Sequence, residues 1–226
     1  MPRKYFDQEL KKLNEQMIQM ALMISDRIEK TIRVLKTDDR ELAQQVVLGD
    51  REIDSLEQEN EKFCMNLLAM QQPLAHDLRE IAACLKILTD MEREADQCAD
   101  ICEILETGTL DPNSLLINNV VQMMGMAQSM FQRAMDVFLS GDLEEARAVC
   151  KEDDAVDSAF GKLVLEICVS ISKNPEQVMK EVDLLFIIKY IERMGDHATN
   201  IAEWVIYRGT GEHPDLNGEE ELPNGK

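Results

Sequence analysis

The chain has 226 residues, of which 24 are lysine or arginine and 44 are aspartate or glutamate, and its formal net charge is −20. This charge excludes a nucleic-acid binder with a broad basic face and disfavours docking on anionic lipid, because the chain repels phosphate groups. Free phosphate is repelled as well, unless a cation or a local basic pocket intervenes. Ten glycines, six prolines, 14 methionines and only 4% aromatic residues favour long helices over a β-sandwich.

No apolar run reaches the roughly 18 residues of a membrane-spanning helix, and the first residues lack the apolar core of a signal peptide. We therefore expect a cytoplasmic protein without direct membrane insertion. The cysteines show no CxxC pattern and fall inside apolar helical patterns, which is typical of core side chains rather than of disulfides or a zinc knuckle. They are Cys64, Cys84, Cys98, Cys102, Cys150 and Cys168.

The first half of the chain is expected to form three helices. Apolar residues at spacings of three and four predict a first helix that ends near Leu35. Asp38 and Glu41 have the spacing of a capping box, which predicts a second helix from there to a break at Gln72–Pro73. A third helix follows, and the Gly- and Pro-containing segment 107–113 is the clearest break in the chain.

The second half is expected to repeat this design. A fourth helix should run from about residue 114 to 139 and end at Gly141. Asp142 and Glu145 then form a capping box for a fifth helix. Asn174–Pro175 resembles an N-cap followed by proline at the first position of a sixth helix. From residue 209 onward the chain is rich in Gly, Pro and acidic residues, which predicts a disordered tail.

An internal repeat relates the two halves at a constant offset of 100 residues. The two carboxylate-rich segments 90–103 and 190–203 share five identical positions, and segments beginning at Asp50 and Asp153 match more weakly. We therefore predict an all-α fold of six long antiparallel helices, arranged as two tandem, sequence-related three-helix bundles. The expected units are residues 1–109, residues 110–208 and the tail 209–226. The five identities are Glu92/Glu192, Arg93/Arg193, Asp96/Asp196, Ile101/Ile201 and Glu103/Glu203.

Carboxylates recur at a spacing of four on the third helix, which places Glu92, Asp96 and Asp100 on one ridge. No lysine or arginine stands four residues away to neutralise them, and each like-charge pair costs roughly 0.2–0.5 kcal/mol. The sixth helix repeats the ridge, and the second and fifth helices carry further acidic rows. Antiparallel packing would bring these rows face to face, where a multivalent cation such as magnesium, manganese, iron or zinc cancels the repulsion. These further residues are Asp50, Asp54, Glu57, Asp153, Asp157, Glu192, Asp196 and Asn200.

Two other interpretations compete with a metal-binding regulator. An acidic helical ridge is often simply a solvated face, which would make the chain a metal-free helical adaptor. A carboxylate-bridged metalloenzyme would need an acid–base group, and three histidines offer few. No P-loop, HExxH motif or Glu-x-x-His pair is present. A non-catalytic protein is therefore predicted.

Two segments resemble the signatures of the PhoU family. Residues 72–79, QPLAHDLR, are similar to its QPxAxDLR motif, and residues 191–203, IERMGDHATNIAE, are similar to its ERxGDHAxNIAE motif. The resemblance extends from the first helix to about Arg208 and includes the duplication.

The resemblance implies two similar three-helix bundles in a cytoplasmic protein of phosphate homeostasis. Such proteins help to shut off the phosphate-starvation response by linking the ATPase subunit of the phosphate ABC transporter to a sensor histidine kinase. Some members bind iron or zinc clusters. A homodimer is left open. Direct phosphate sensing would require a bridging cation, given the anionic surface.

The resemblance also assigns roles to residues. The E/D-x-x-x-D pattern of the metal-binding members is matched in all four acidic rows. Asn200 stands where the first half has Asp100, so the second site should bind fewer ions or bind them less tightly. Candidates for partner contact are Asp77, Arg79, Arg93 and Arg193, although helix capping is the favoured explanation for Asp77 and pairing with nearby acids is an alternative for the arginines.

Overall fold

The computed structural model describes residues 3–70, 74–108, 110–212 and 214, and this part of the chain contains helices and no strand. The predicted all-α fold is confirmed. The predicted tail lies mostly outside the described residues, as does the predicted break at Gln72–Pro73. The helices are α1 (Arg3–Thr37), α2 (Arg40–Leu48), α3 (Asp50–Met70), α4 (Ala75–Thr107), α5 (Leu115–Ser140), α6 (Leu143–Lys173) and α7 (Val178–Thr210), with a 3-10 turn at Pro175–Gln177.

The second predicted helix is wrong in two respects. It begins one residue later than expected, because Asp38 has a left-handed backbone (φ 54°) and Asp39 accepts the capping hydrogen bond from the amide of Leu42 at 3.0 Å. It is also divided in two at Gly49, where the backbone between α2 and α3 deviates from a continuous helix. The 3-4 apolar spacing continues across this break, so periodicity alone does not reveal it.

The helix ends of the second half mostly follow the sequence signals. Ser114 caps α5, and Gly141 terminates it in the left-handed conformation (φ 70°). Asp142 accepts hydrogen bonds from two backbone amides of α6. The start of the last helix differs from the prediction in part. Pro175 follows Asn174 at the first helical position as expected, but the Asn174 side chain makes no capping hydrogen bond and Pro175 opens a 3-10 turn before α7.

Each half buries the apolar stripes of its helices in a common core. Met17, Met20, Ile24 and Ile28 of α1 are fully buried, as are the corresponding stripes of α4 and α7. Five of the six cysteines are buried as expected, whereas Cys168 is exposed and that part of the prediction is wrong. None of the described helices combines the length and hydropathy required to cross a membrane.

The two halves are joined by α4 and α7, which pack against each other along much of their length, and by α1 against α5. Asp90 of α4 contacts His197 and Asn200 of α7, while the charge of Arg193 acts on Asp100. Positions 90 and 200 therefore meet at one end of the contact and positions 100 and 193 towards the other, so the helices run antiparallel. The boundary between the predicted units stays a prediction.

Candidate metal centres

Three carboxylates of the first half converge between α3 and α4. Asp50, Asp54 and Asp96 each offer one oxygen, and these oxygens lie within 4.8 Å of one another. Within residues 3–70, 74–108 and 110–212 no other set of three His, Cys, Asp or Glu side chains meets this criterion. All three carboxylates are half-buried. Such a cluster suits a hard cation, which several carboxylate oxygens hold at about 2.0–2.6 Å.

Burial and mutual repulsion disfavour the ionised form of these carboxylates unless a proton or a cation is bound. Burial is the main cause that raises the pKa values of Asp50, Glu57 and Asp96. Burial also raises the pKa of Glu92 to about 7, and the charge of Asp96 adds to this effect. The charges of Glu57 and Asp54 on α3 add to the raised pKa of Glu92 on α4, as the facing rows predict.

One carboxylate of the cluster is paired with an arginine that the sequence patterns did not indicate. Arg27 lies on the buried stripe of α1, with its side chain 8% exposed, and donates to Asp50 Oδ1 at 2.5 Å. Gly49 makes room for this contact, because a Cβ there would lie 2.9 Å from Arg27 Nη2. The break between α2 and α3 thus places Asp50 beside the guanidinium. In the sequence, the sign of such a contact is a charged residue at a position of the apolar stripe, between Ile24 and Thr31.

The acidic ridge of α4 is less isolated than its spacing suggests. Arg93, three residues before Asp96, donates to Asp96 Oδ2 at 2.8 Å and lies 3.3 Å from Glu92 Oε2. A spacing of three separates Arg93 from Asp96, so the lack of a cation four residues away does not exclude this pair. Because the Arg93 side chain is 49% exposed, the two contacts are screened by solvent and contribute little stability. Its predicted role in partner contact remains untested.

In the second half, one of the row carboxylates has an oxygen without a partner among the described residues. Asp153 Oδ1 is buried and accepts no hydrogen bond. Burial, followed by the charges of Asp196, Asp157 and Glu192, raises the pKa of Asp153 to about 7. Gly195 provides the space, since a Cβ there would lie 2.8 Å from Asp153 Oδ1. An orphaned anionic oxygen in a space that only glycine leaves open fits a cation.

This second cluster is more open than the first. Asp157 and Asp196 are exposed, and Glu192 is paired with Lys189. When Asp50 is aligned with Asp153, Phe160 stands at the position of Glu57. The Lys189 ammonium lies 5.6 Å from the Phe160 ring centroid. The residues of both halves fit a multivalent cation, and the second set is expected to hold it less tightly.

Asp100 and Asn200, two of the predicted metal ligands, lie where α4 and α7 of the two halves contact each other. Asn200 donates to Asp90 Oδ1 at 3.1 Å, and His197 Nδ1 lies 3.0 Å from the same oxygen. Burial and the neighbouring charge of Glu103 raise the pKa of Asp100, while Arg193 lowers it. These contacts leave the assignment of Asp100 and Asn200 as metal ligands a prediction. Asp90 was not anticipated, because its repeat counterpart is Tyr190.

A further carboxylate of the first half was also missed. Glu94 is fully buried, and neither of its oxygens has a hydrogen-bond partner. Burial, with a smaller effect of the Asp90 charge, raises its pKa well above the usual range. Its repeat counterpart is Met194, and the sequence offers no signal that separates Glu94 from a solvated glutamate.

The remaining candidates lie at the start of α4. Asp77 is 2% exposed and accepts a hydrogen bond from the amide of Leu74 at 3.0 Å, which confirms the predicted cap. Arg79 has a buried Nε without a hydrogen-bond partner and lines a cavity that contains none of the row carboxylates.

Known proteins share both the sequence and the fold. The PhoU domain matches the chain twice, over residues 17–105 and 120–205. The chain is 33% identical over 218 residues to the Clostridium acetobutylicum protein called phosphate-specific transport system accessory protein PhoU homolog, and the match covers 96% of this chain and 100% of that one. The chain belongs to the PhoU family. The Caulobacter vibrioides PhoU homolog is also 33% identical, with 92% of this chain and 91% of that protein covered.

Solved PhoU structures have the same architecture. The crystal structure of PhoU from Pseudomonas aeruginosa superimposes with a TM-score of 0.87 at 28% identity and covers 92% of this chain and 100% of that one. The phosphate transport system regulatory protein PhoU from Streptococcus pneumoniae gives 0.86 at 27% identity, with 93% and 100% covered. The paired domain matches agree with the internal repeat at an offset of 100 residues.

Proposed function

We propose that this PhoU-family chain is a non-catalytic negative regulator of phosphate uptake and of the phosphate-starvation response. In this proposal it acts in the cytoplasm and links the ATPase subunit of the phosphate ABC transporter to a sensor histidine kinase. Support comes from relatives named as phosphate transport accessory proteins, one of which is matched over its full length. A homodimer is compatible with the proposal.

Metal binding by the facing carboxylate rows is the second part of the proposal. The observation that carries it is the convergence of Asp50, Asp54 and Asp96, with the orphaned Asp153 oxygen as its counterpart in the second half. Iron or zinc is the expected ion, with magnesium or manganese as alternatives. A bound cation would neutralise the rows and cross-link α3 to α4 and α6 to α7. The metal thereby fixes the bundle surface that faces partners.

The regulatory part is tested by binding and by a cellular response. The purified full chain should retain the transporter ATPase subunit in a pull-down, and deletion of its gene should leave the starvation response active in high phosphate. If the chain retains no ATPase subunit and the deletion leaves the response normal, the proposal is wrong.

The metal part is tested separately with substitutions in the rows. Glu92→Gln with Asp96→Asn should lower the bound metal, whereas Glu29→Gln on the exposed face of α1 should not. Unchanged metal content and thermal stability in the double variant would favour the metal-free adaptor. Turnover in a hydrolase or oxidase screen that depends on the metal would favour the metalloenzyme.

A further inference from the structure

A polar cavity of about 350 Å³ lies where the first turns of α4 meet the C-terminal ends of α5 and α7. Two arginines line it, Arg79 from α4 and Arg208 from α7. His76 and Asn14 add further polar groups to the lining, and Glu80 contributes a carboxylate. None of these residues belongs to the carboxylate rows, so the cavity is a separate feature of the fold.

Like several other arginines of this chain, neither of the two forms an ion pair with a carboxylate among the described residues. Arg27, Arg93 and Arg133 each form an ion pair. In the part of the chain that the structure describes, no carboxylate oxygen lies within 4 Å of the Arg79 or Arg208 guanidinium. The Nε of Arg79 is buried and makes no hydrogen bond. A buried donor without a partner is costly, and a bound anion would satisfy it.

Arg208 is held by a backbone carbonyl at the end of α5, and Arg79 lies against the backbone at the end of α7. Arg208 Nη2 donates to the carbonyl of Phe138 at 2.6 Å, and its Cζ lies 4.9 Å from the Phe138 ring centroid. Gly211 packs against Arg79, since a Cβ there would lie 3.3 Å from Arg79 Nη1. A guanidinium has five N–H donors, so the carbonyl contact of Arg208 leaves others for a ligand.

The local charge is positive although the chain is strongly negative. Glu80 opposes the two guanidinium groups, and its Oε2 lies 4.0 Å from His76 Nδ1. The N-terminal end of α4, which carries His76 and Arg79, adds a partial positive charge, and the C-terminal ends of α5 and α7 oppose it. Two full positive charges therefore face one carboxylate.

We propose that this cavity, the Arg79–Arg208 pocket, binds inorganic phosphate directly. Guanidinium groups match tetrahedral oxyanions through paired N–H donors, and the charge-assisted hydrogen bonds require no bridging cation. Such a site is the local basic pocket that the sequence allows as an alternative to a bridging cation. The choice of phosphate among tetrahedral oxyanions rests on the proposed function.

The internal repeat does not reproduce this pair of arginines. At the offset of 100 residues, Met179 corresponds to Arg79 and Gly108 corresponds to Arg208. The second half thus lacks both guanidinium groups at the equivalent place, and one phosphate per chain is expected.

The test is calorimetric titration of inorganic phosphate into the full chain after chelator treatment. The parent should bind one phosphate, and Arg79→Gln and Arg208→Gln should each weaken binding about tenfold or more. Arg40→Gln is the matched control, because Arg40 also donates to a carbonyl at a helix end, that of Gly108, but lies outside the pocket. Glu80→Gln should tighten binding several-fold and keeps the carbonyl contact of Arg208 intact.

Four results would overturn the proposal: no binding to the chelated parent, binding restored only by added metal, equal affinity in Arg79→Gln, or acetate binding as tightly as phosphate. The transporter pull-down and the starvation response do not depend on these outcomes. Failure of the pocket and failure of the proposed regulatory role are therefore distinguishable.

Discussion

Replacing Asp153 by asparagine removes a negative charge from a buried oxygen without changing the size of the side chain. In the folded chain the pKa of Asp153 is about 7, against 3.8 for an ordinary aspartate. The difference corresponds to ~4 kcal/mol of cost for the ionised form. Solvent reaches part of this carboxyl group, and screening reduces the cost to about 1–2 kcal/mol. Metal-free Asp153→Asn should therefore be more stable than the parent by that amount at pH 8.

The pH dependence follows from the raised pKa. The parent loses stability as the pH rises from about 4, where the unfolded aspartate ionises, through 7, where the folded one does. The advantage of the variant should accordingly be smaller at pH 5 than at pH 8. Urea unfolding in the presence of chelator measures both values. The control is Asp154→Asn, which changes an exposed neighbour and should give no comparable difference.

Metal should reverse the order of stability. An ion supplied at 100 times its Kd stabilises the folded parent by about 2.7 kcal/mol. Asp153→Asn weakens that site and gains less, so the variant should become the less stable protein. A variant that matches the parent at every pH in chelator, or that stays more stable with metal present, would refute the reasoning.

Three further predictions follow from the same contacts. Gly195→Ala should weaken metal binding in a titration, because the added Cβ occupies the space of Asp153 Oδ1, 2.8 Å away. Gly161→Ala, where nothing lies within 4 Å of the new Cβ, should leave metal affinity unchanged and stabilise α6 by up to about 1 kcal/mol in urea unfolding. Arg27→Gln should destabilise the chain by about 2–3 kcal/mol in the same assay, because it leaves Asp50 partly buried without its cationic partner. A loss below 0.5 kcal/mol would show that Asp50 needs no such partner.

The sequence predicts the helices and the acidic rows because both depend on local spacing. A separation of four residues fixes which carboxylates share a ridge, and the repeat at 100 residues shows that the ridge occurs twice. Asp54 and Asp96 therefore meet as expected once α3 and α4 run antiparallel. The fold class follows from the same periodicity.

The features that were missed depend on packing between elements. Arg27 contacts Asp50 beside Gly49, at the break between α2 and α3, and apolar periodicity does not report this break. Asp90 contacts His197 and Asn200, which belong to the other half of the molecule. Spacing within one helix carries no information about which face meets the second bundle.

The pocket lined by Arg79 and Arg208 illustrates the same limit over a longer distance. Its two arginines are 129 positions apart in the sequence and meet only through the contacts between the halves. The overall charge of −20 suggests repulsion of every anion, but the local charge at this pocket has the opposite sign.

Elemental analysis of the chain purified without chelator or metal-affinity tag tests the central claim most directly. The facing rows predict at least one multivalent ion per chain, reduced when Asp54→Asn and Asp96→Asn are combined and unchanged in Glu29→Gln. Metal at background level in the parent, or the same content in all three proteins, would contradict the account.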